Sequence, residues 1–266
     1  MRSSTLFVAA VMALESLAAP GGSLEKRAPV VYLAGDSTMA ENGGGSGTQG
    51  WGHYLPYSLS ISVVNSAIGG RSARSYTVES RFQAIADKVK SGDIVIIEFG
   101  HNDGGSLTPT DNGRTDCPGA GSETCTSTYN GATVTVLTYP AYLQNAAKLL
   151  ISKGAKVIIS SPTPNNPWES GSFSYSASRF TTYSKAAASA TKSSFVDHGQ
   201  YTANIWQSQG KSVVDAFFPN DHTHTSGPGA DTVAKAFVKG VACVGSANPL
   251  AAYVKNSTAS IPGSCI

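Results

Sequence analysis

The chain has 266 residues, 19 Lys and Arg against 17 Asp and Glu, and a formal net charge of +2, with 41% hydrophobic residues. That length fits one α/β domain with a full core. Near-neutral charge excludes the basic stripe that a nucleic-acid partner requires, and beyond the first 27 residues no apolar run is long enough to span a bilayer.

Arg2 precedes an apolar stretch over residues 6–14, and Ser16-Leu17-Ala18 supplies small residues for cleavage, the pattern of a secretory signal peptide. A short spacer ends in the dibasic pair Lys26-Arg27. Residues 1–27 are therefore expected to be signal peptide and pro-segment, and residues 28–266 a single exported, extracellular domain. The alternative is an uncut basic pair. Processing is favoured because Val30 opens the first strand almost at once.

Residues 30–34 form a short apolar run ending at Gly35, the pattern of a buried strand. Residues 43–47, Gly-Gly-Gly-Ser-Gly, read as a flexible loop. A helix is predicted over 51–59, a strand over 61–67 that ends at Gly69-Gly70, and an amphipathic helix over 81–90. Residues 93–99 hold Ile94, Val95, Ile96 and Ile97 in succession, a central strand buried on both faces. Residues 103–135 show no clear period. They are rich in Gly, Thr, Ser and Asp and carry Cys117 and Cys125, so they read as a long stapled loop. A helix follows over 139–153, closed by Gly154, then a strand over 157–160. Residues 162–174 form an irregular loop with three prolines and Trp168. The last elements are a helix over 177–191, a short strand over 195–197, and a helix over 226–244 with Ser226 as N-cap and Pro228 in its first turn.

Alternation of this kind predicts an α/β fold, a parallel sheet with helices on both faces. In such sheets the ligand site lies at the carboxyl ends of the strands. No internal repeat or second domain is visible. The four cysteines allow three disulfide pairings. Cys117 and Cys125 flank one loop, and Cys243 and Cys265 bracket the C-terminal tail, so local pairing is the economical choice. A zinc site competes weakly, since no CxxC pair exists and export favours oxidation.

Four short pieces carry the chemistry: Gly35-Asp36-Ser37-Thr38, Gly69-Gly70-Arg71-Ser72, Gly100-His101-Asn102-Asp103 and Asp221-His222-Thr223-His224. Ser37 follows a strand and becomes a nucleophile if a base takes its proton. Taken alone, its block reads rather as a helix N-terminus capped by Asp36 or Ser37, and only the other three pieces turn the reading to a nucleophile. Asp221 and His224 are spaced so that the carboxylate can hold one imidazole nitrogen while the other faces the serine. His222, between them, should point elsewhere. A metal reading of Asp221, His222 and His224 lacks a second ligand cluster, so no metal is expected. The Gly70 N–H and the Asn102 side-chain amide are candidate oxyanion donors, with a turn glycine and a capping asparagine as the plainer alternatives. Residues 45–50 formally match G-x-G-x-x-G, but no strand directly precedes them and no acid follows at the required distance. The G-x-S-x-G elbow of α/β-hydrolases is absent.

The four pieces together resemble the consensus blocks of the SGNH, or GDSL-type, hydrolases. The resemblance implies a three-layer α/β/α fold with a central, mainly five-stranded parallel sheet. It implies Ser37 as nucleophile, His224 and Asp221 as base and orienting acid, and an oxyanion hole formed by the Ser37 N–H, Gly70 and Asn102. Residues 31–40, 69–76, 98–105, 163–169 and 221–225 are similar, more closely, to one group, the fungal rhamnogalacturonan acetylesterases, and the likeness includes the four cysteines. Membership in that group implies a secreted serine esterase acting on an acetylated pectic polysaccharide, without a cofactor or a nucleic-acid or membrane partner, and monomeric. Arg71 and Arg74 lie beside Gly70, where they are placed to meet a uronate carboxylate, and Trp168 is placed to stack on a sugar. Structural ion pairs and simple packing are the competing roles. An esterase acting on acetylxylan and a non-catalytic carbohydrate-binding protein are the rival functions. Asn256-Ser257-Thr258 is a glycosylation sequon in the C-terminal tail.

Overall fold

A computed structural model describes Met1, residues 27–255 and residues 257–266. The expected signal-peptide segment up to residue 26 and the expected glycosylation site Asn256 lie outside the described residues. The chain runs β1 (Val31–Gly35), β2 (Val63–Asn65), α1 (Ala73–Val78), α2 (Arg81–Ala86), β3 (Ile94–Glu98), β4 (Thr124–Tyr129), β5 (Ala132–Leu137), α3 (Tyr139–Ser152), β6 (Lys156–Ser160), α4 (Arg179–Thr191), β7 (Ser194–Val196), α5 (His198–Gln209), α6 (Lys211–Asp215) and α7 (Gly227–Val244). Five strands form one sheet in the order β2-β1-β3-β6-β7, with every pair parallel. This is the expected architecture.

The two faces of the sheet explain the unbroken apolar runs. On one face Tyr32, Ala34, Val95, Ile97, Val157 and Ile159 pack with Tyr76, Phe82, Tyr139, Leu143 and Phe180 of α1 to α4. On the other, Val31, Leu33, Ile94, Ile96 and Ile158 pack with Trp51, Trp206, Val233, Phe237 and Val241, mostly from α5 and α7. Successive residues of a strand point to opposite faces, so a strand covered on both sides must be apolar throughout. β1 and β3 are buried at every position.

Several elements differ from the sequence reading. The expected helix over 51–59 is two 3-10 turns, Trp51–His53 and Leu55–Ser58, with Pro56 inside the second. The stretch after Gly70 supplies α1, closed at its N-terminus by reciprocal Ser72 and Ser75 hydrogen bonds. The supposedly unstructured segment 103–135 contains most of an antiparallel hairpin, β4 with β5, paired from Thr124↔Leu137 to Tyr129↔Ala132. Its two-residue turn is Asn130-Gly131, with φ of +51° and +78°, the pairing of residues that a tight hairpin turn demands. Between β7 and α7 the chain forms α5 and α6, which the sequence reading left unassigned.

Both local disulfides are present, Cys117–Cys125 beside the hairpin and Cys243–Cys265 tying the C-terminal tail to the end of α7. Loops of that length imply roughly 3 kcal/mol of stabilisation each on a chain-entropy estimate.

Asp103 and Asp116 are buried carboxyls joined through the Asp116 N–H to Asp103 O hydrogen bond of 3.1 Å. Burial pushes the Asp116 carboxyl up to about 6, against the opposing pull of backbone N–H groups and of Arg179 and Arg74. A carboxyl raised in the folded state stabilises the fold while protonated. Its contribution is complete below the unfolded value of 3.8 and is lost as pH climbs through about 6. Asp116→Asn keeps an acceptor for the Tyr139 N–H (3.1 Å) and removes the titration. The variant should melt higher than wild type at about pH 7.5, by on the order of 2 kcal/mol, and the difference should shrink toward about pH 4. A difference that does not vary with pH in thermal melts would refute this assignment.

Candidate active site

Ser37, the candidate nucleophile, is presented by a turn that only glycine permits. At Gly35, the last residue of β1, a Cβ would stand 2.7 Å from Met39 Sδ and 2.9 Å from the Glu98 carbonyl oxygen. Asp36 then caps the turn: its Oδ1 accepts from Thr38 N at 2.9 Å and Thr38 Oγ1 at 2.8 Å, and its carbonyl accepts from Ala40 N at 3.0 Å. No helix starts here, so the capping alternative for this block gives way to a tight turn carrying Ser37. Burial raises the Asp36 carboxyl above its ordinary value.

His224, the candidate base, approaches from the segment just before α7. Asp221 Oδ1 accepts from Thr223 N at 2.7 Å and His224 N at 2.8 Å, an Asx turn that folds the segment back on itself. The turn brings Asp221 Oδ2 to 2.7 Å from His224 Nδ1, and His224 Nε2 to 2.8 Å from Ser37 Oγ. Partial burial pushes the Asp221 carboxyl up, but hydrogen bonds from the His224 ring, His224 N–H and Thr223 N–H outweigh it and hold it at about 2. An ionised carboxylate only accepts, so Nδ1 carries the proton and Nε2 is left to accept from the serine hydroxyl. His222 faces Glu169, with Nδ1 3.1 Å from Oε1, on the exposed side.

The two donor blocks are cross-linked to each other. Gly70 adopts φ +73°, a left-handed conformation that favours glycine. One residue on, the Arg71 carbonyl accepts from Asn102 Nδ2 at 3.1 Å, and the Ala73 N–H donates to Asp103 Oδ1 at 2.7 Å. On its other side, Asn102 Oδ1 accepts from Arg114 Nη1 at 3.3 Å. A guanidinium can only donate, which fixes the orientation of the amide. An amide NH₂ has two hydrogens; Arg71 O takes one and leaves one for a ligand. Asn102→Ala should lower kcat by about 10²–10³ with little change in KM, because such a donor acts mainly on the transition state. Steady-state kinetics on an aryl acetate is the check, and a raised KM at unchanged kcat would make Asn102 a ground-state binding residue.

The arginines expected to meet a uronate have partners within the protein. Arg74 is 3% exposed and forms a fork on Asp111, Nη1 to Oδ1 at 2.9 Å and Nη2 to Oδ2 at 2.7 Å, with Nη1 also on Thr115 O. Arg71 donates from Nε to both Glu79 oxygens at 3.2 Å and from Nη1 to Gly69 O at 3.1 Å. Both hold the surroundings of the Gly70 turn, which favours the structural ion pairs that the sequence offered for them beside the uronate role. Trp168 likewise packs: its Nε1 donates to Trp206 O at 3.1 Å and its ring meets Phe173 edge-on.

Two residues near the triad escaped the sequence reading. One is Arg114. The other is Gly44, in the loop taken as merely flexible. A Cβ on Gly44 would lie 2.4–2.5 Å from three atoms of the His224 ring, so the bare backbone of this loop is packed flat on the imidazole. Asn220 Nδ2 to Ser46 O at 2.8 Å fastens the loop to the segment that carries the base. Gly44→Ala should push His224 off its line to Ser37 and lower kcat about tenfold or more, since misplacement of a catalytic group by about 1 Å is costly, with the melting temperature little changed. Wild-type kcat in that variant would show that the ring has room to yield. A cavity of about 430 Å³ opens past the carboxyl ends of β3 and β6, lined among others by His101, Thr163, Asn165, Tyr175 and Phe180 and by no residue of the triad. Its wall is joined to the base segment by Asn166 N to His222 O at 2.7 Å and Thr223 Oγ1 to Asn165 Oδ1 at 3.0 Å. Among the described residues no group of three or more His, Cys, Asp or Glu is arranged to hold a metal ion.

The family model for GDSL-like lipase/acylhydrolase matches residues 31–237. A protein of Emericella nidulans named rhamnogalacturonan acetylesterase is 60% identical over 218 residues, covering 82% of this chain and 86% of its own. A probable rhamnogalacturonan acetylesterase of Bacillus subtilis, YesY, is 29% identical over 79% of this chain and 91% of its own. Among solved structures, the YxiM protein of Bacillus subtilis superposes with a TM-score of 0.63 at 22% identity, over 80% of this chain and 56% of that one. An acetylxylan esterase of Geobacillus stearothermophilus does so with a TM-score of 0.53 at 19% identity, over 79% of this chain and 93% of that one. At such identities the superpositions speak for the fold.

Proposed function

The chain belongs to the GDSL-like lipase/acylhydrolase family, and from that membership and the geometry of the site we propose that it hydrolyses acetyl esters on rhamnogalacturonan through an acyl-enzyme. The hydrogen-bonded line from Asp221 Oδ2 through His224 to Ser37 Oγ carries the reaction class. The 60% identity to a rhamnogalacturonan acetylesterase over most of both chains carries the substrate.

Ser37 Oγ attacks the acetyl carbonyl carbon as His224 Nε2 takes its proton. The developing negative oxygen is received by the Ser37 N–H, the Gly70 N–H and the free hydrogen of Asn102 Nδ2. The imidazolium, stabilised by Asp221, protonates the departing sugar oxygen, and the acetyl group stays on Ser37. Water then enters and its oxygen bonds to the acyl carbon as Nε2 takes its proton; the Oγ–acyl bond breaks, Nε2 returns the proton to Ser37 Oγ, and acetate leaves.

The setting is read as extracellular and the enzyme as a monomer. The secretory pattern of the first 27 residues and the two disulfides support export. Acetate release from acetylated rhamnogalacturonan, measured beside acetylated xylan and a small aryl acetate, tests the proposal. Preference for the pectic polymer is expected. Turnover of xylan and not of the pectic polymer would replace the substrate while keeping the mechanism.

A further inference from the structure

We propose that Arg114 is the residue that reads the uronate carboxylate next to the scissile acetyl ester; the inference rests on the pectic substrate proposed above. Three observations carry it.

The first is place. Arg114 Nη1 is the heavy atom nearest to a Cβ built on Gly70, at 3.9 Å, and it also donates to Asn102 Oδ1 at 3.3 Å. The guanidinium therefore stands at the corner where two of the oxyanion donors meet. A bound acetyl carbonyl must enter that corner, and the rest of its sugar ring must lie just outside.

The second is availability. Arg27, Arg71, Arg74 and Arg81 each pair with a carboxylate, and Arg179 lies over the Phe180 ring. Arg114 is exposed, and among the described residues it has no carboxylate within 4.0 Å. A guanidinium has five N–H donors, and the bond to Asn102 uses one.

The third is support. The Arg114 N–H and the Thr115 N–H both donate to Asn112 Oδ1, at 2.8 and 3.0 Å, and the Gly113 N–H donates to Asp111 Oδ1 at 2.8 Å. Arg74 grips the same segment at Asp111 and Thr115 O from inside. The backbone on each side of Arg114 is thus pinned, while the tip of its side chain reaches the site. A planar fork of donors matches a carboxylate. On a uronate that bears the acetyl group, that carboxylate lies on the same ring as the ester. Arg114 is then a specificity-determining residue, and its bond to Asn102 lets the ligand charge and the oxyanion donor share one cation.

The test compares acetylated rhamnogalacturonan with the same polymer after methyl esterification of its carboxylates, for wild type, Arg114→Gln and Arg114→Lys. The readout is the ratio of kcat/KM on the acid polymer to that on the ester polymer. In Arg114→Gln the ratio should fall about five- to tenfold, mostly through KM, as expected for an accessible charge-assisted contact. Arg114→Lys should recover part of it. Added salt should lower the wild-type ratio and leave that of Arg114→Gln flat. Equal losses on both polymers would overturn the proposal and make Arg114 a positioning residue for Asn102. An unchanged ratio with unchanged rates would overturn it as well. Wild type that deacetylates xylan and neither pectic polymer would remove the substrate reading, and this proposal with it.

Discussion

Ser37→Ala is expected to lower kcat/KM by at least about a thousandfold and to leave the fold intact. The hydroxyl stands 2.8 Å from His224 Nε2, and among the blocks that meet at this edge of the sheet it is the group placed to form the acyl-enzyme. Its removal takes away covalent catalysis but keeps the Ser37 N–H, Gly70 and Asn102, so some stabilisation of a direct water attack survives. The Cβ stays, and the turn is held by Asp36 and its bonds to Thr38 and Ala40, so circular dichroism and melting temperature should match wild type. Near-wild-type acetate release by this variant would sink the mechanism.

The second large effect separates two histidines. His224→Ala should cost about 10³-fold or more in kcat, because nucleophile and base act as a unit. His222→Ala, two residues away, should change kcat less than about threefold, as expected for an exposed side chain whose partner is Glu169. The two lie in the same tetrad and differ only in which way the Asx turn of Asp221 aims them. Parallel assays on a small aryl acetate decide the matter, and reversed effects would mean that the base has been misassigned.

The parts legible in the sequence are those whose cause is local. β1 and β3 announce themselves because burial on two faces leaves no place for a polar residue. α3 is bounded by Thr138, whose hydroxyl accepts from Ala141 N, and by Gly154. The triad and donor blocks are short and contiguous, so their residue types survive reading in one dimension. The hairpin was legible too, in Asn130-Gly131 and the alternation of Ala132–Leu137, but the surrounding Gly, Ser and Thr obscured it. α5 hid for another reason. Its sequence, HGQYTANIWQSQ, has few apolar residues, and its first residue, the polar His198, is buried through bonds to Glu98 Oε2 at 2.7 Å and the Val233 carbonyl at 2.8 Å. Such pairing is a tertiary fact. Gly44 and Arg114 belong with it: the first matters for what lies against it, the second for the carboxylate it lacks, and both depend on residues distant in the chain.

The separation of Ser37 from His224, 187 positions along the chain, has a consequence for biosynthesis. Synthesis runs from the N-terminus, and domains fold as units as they emerge. The proposed nucleophile and oxyanion donors are translated within the first 102 residues, whereas the proposed base comes just ahead of α7, whose Val233, Phe237 and Val241 help close one face of the core. A nascent or C-terminally truncated chain therefore carries a serine with no partner to activate it. The Ser37–His224 contact of 2.8 Å can exist only once the segment ahead of α7 has been made and packed, so hydrolytic competence is tied to completion of the fold.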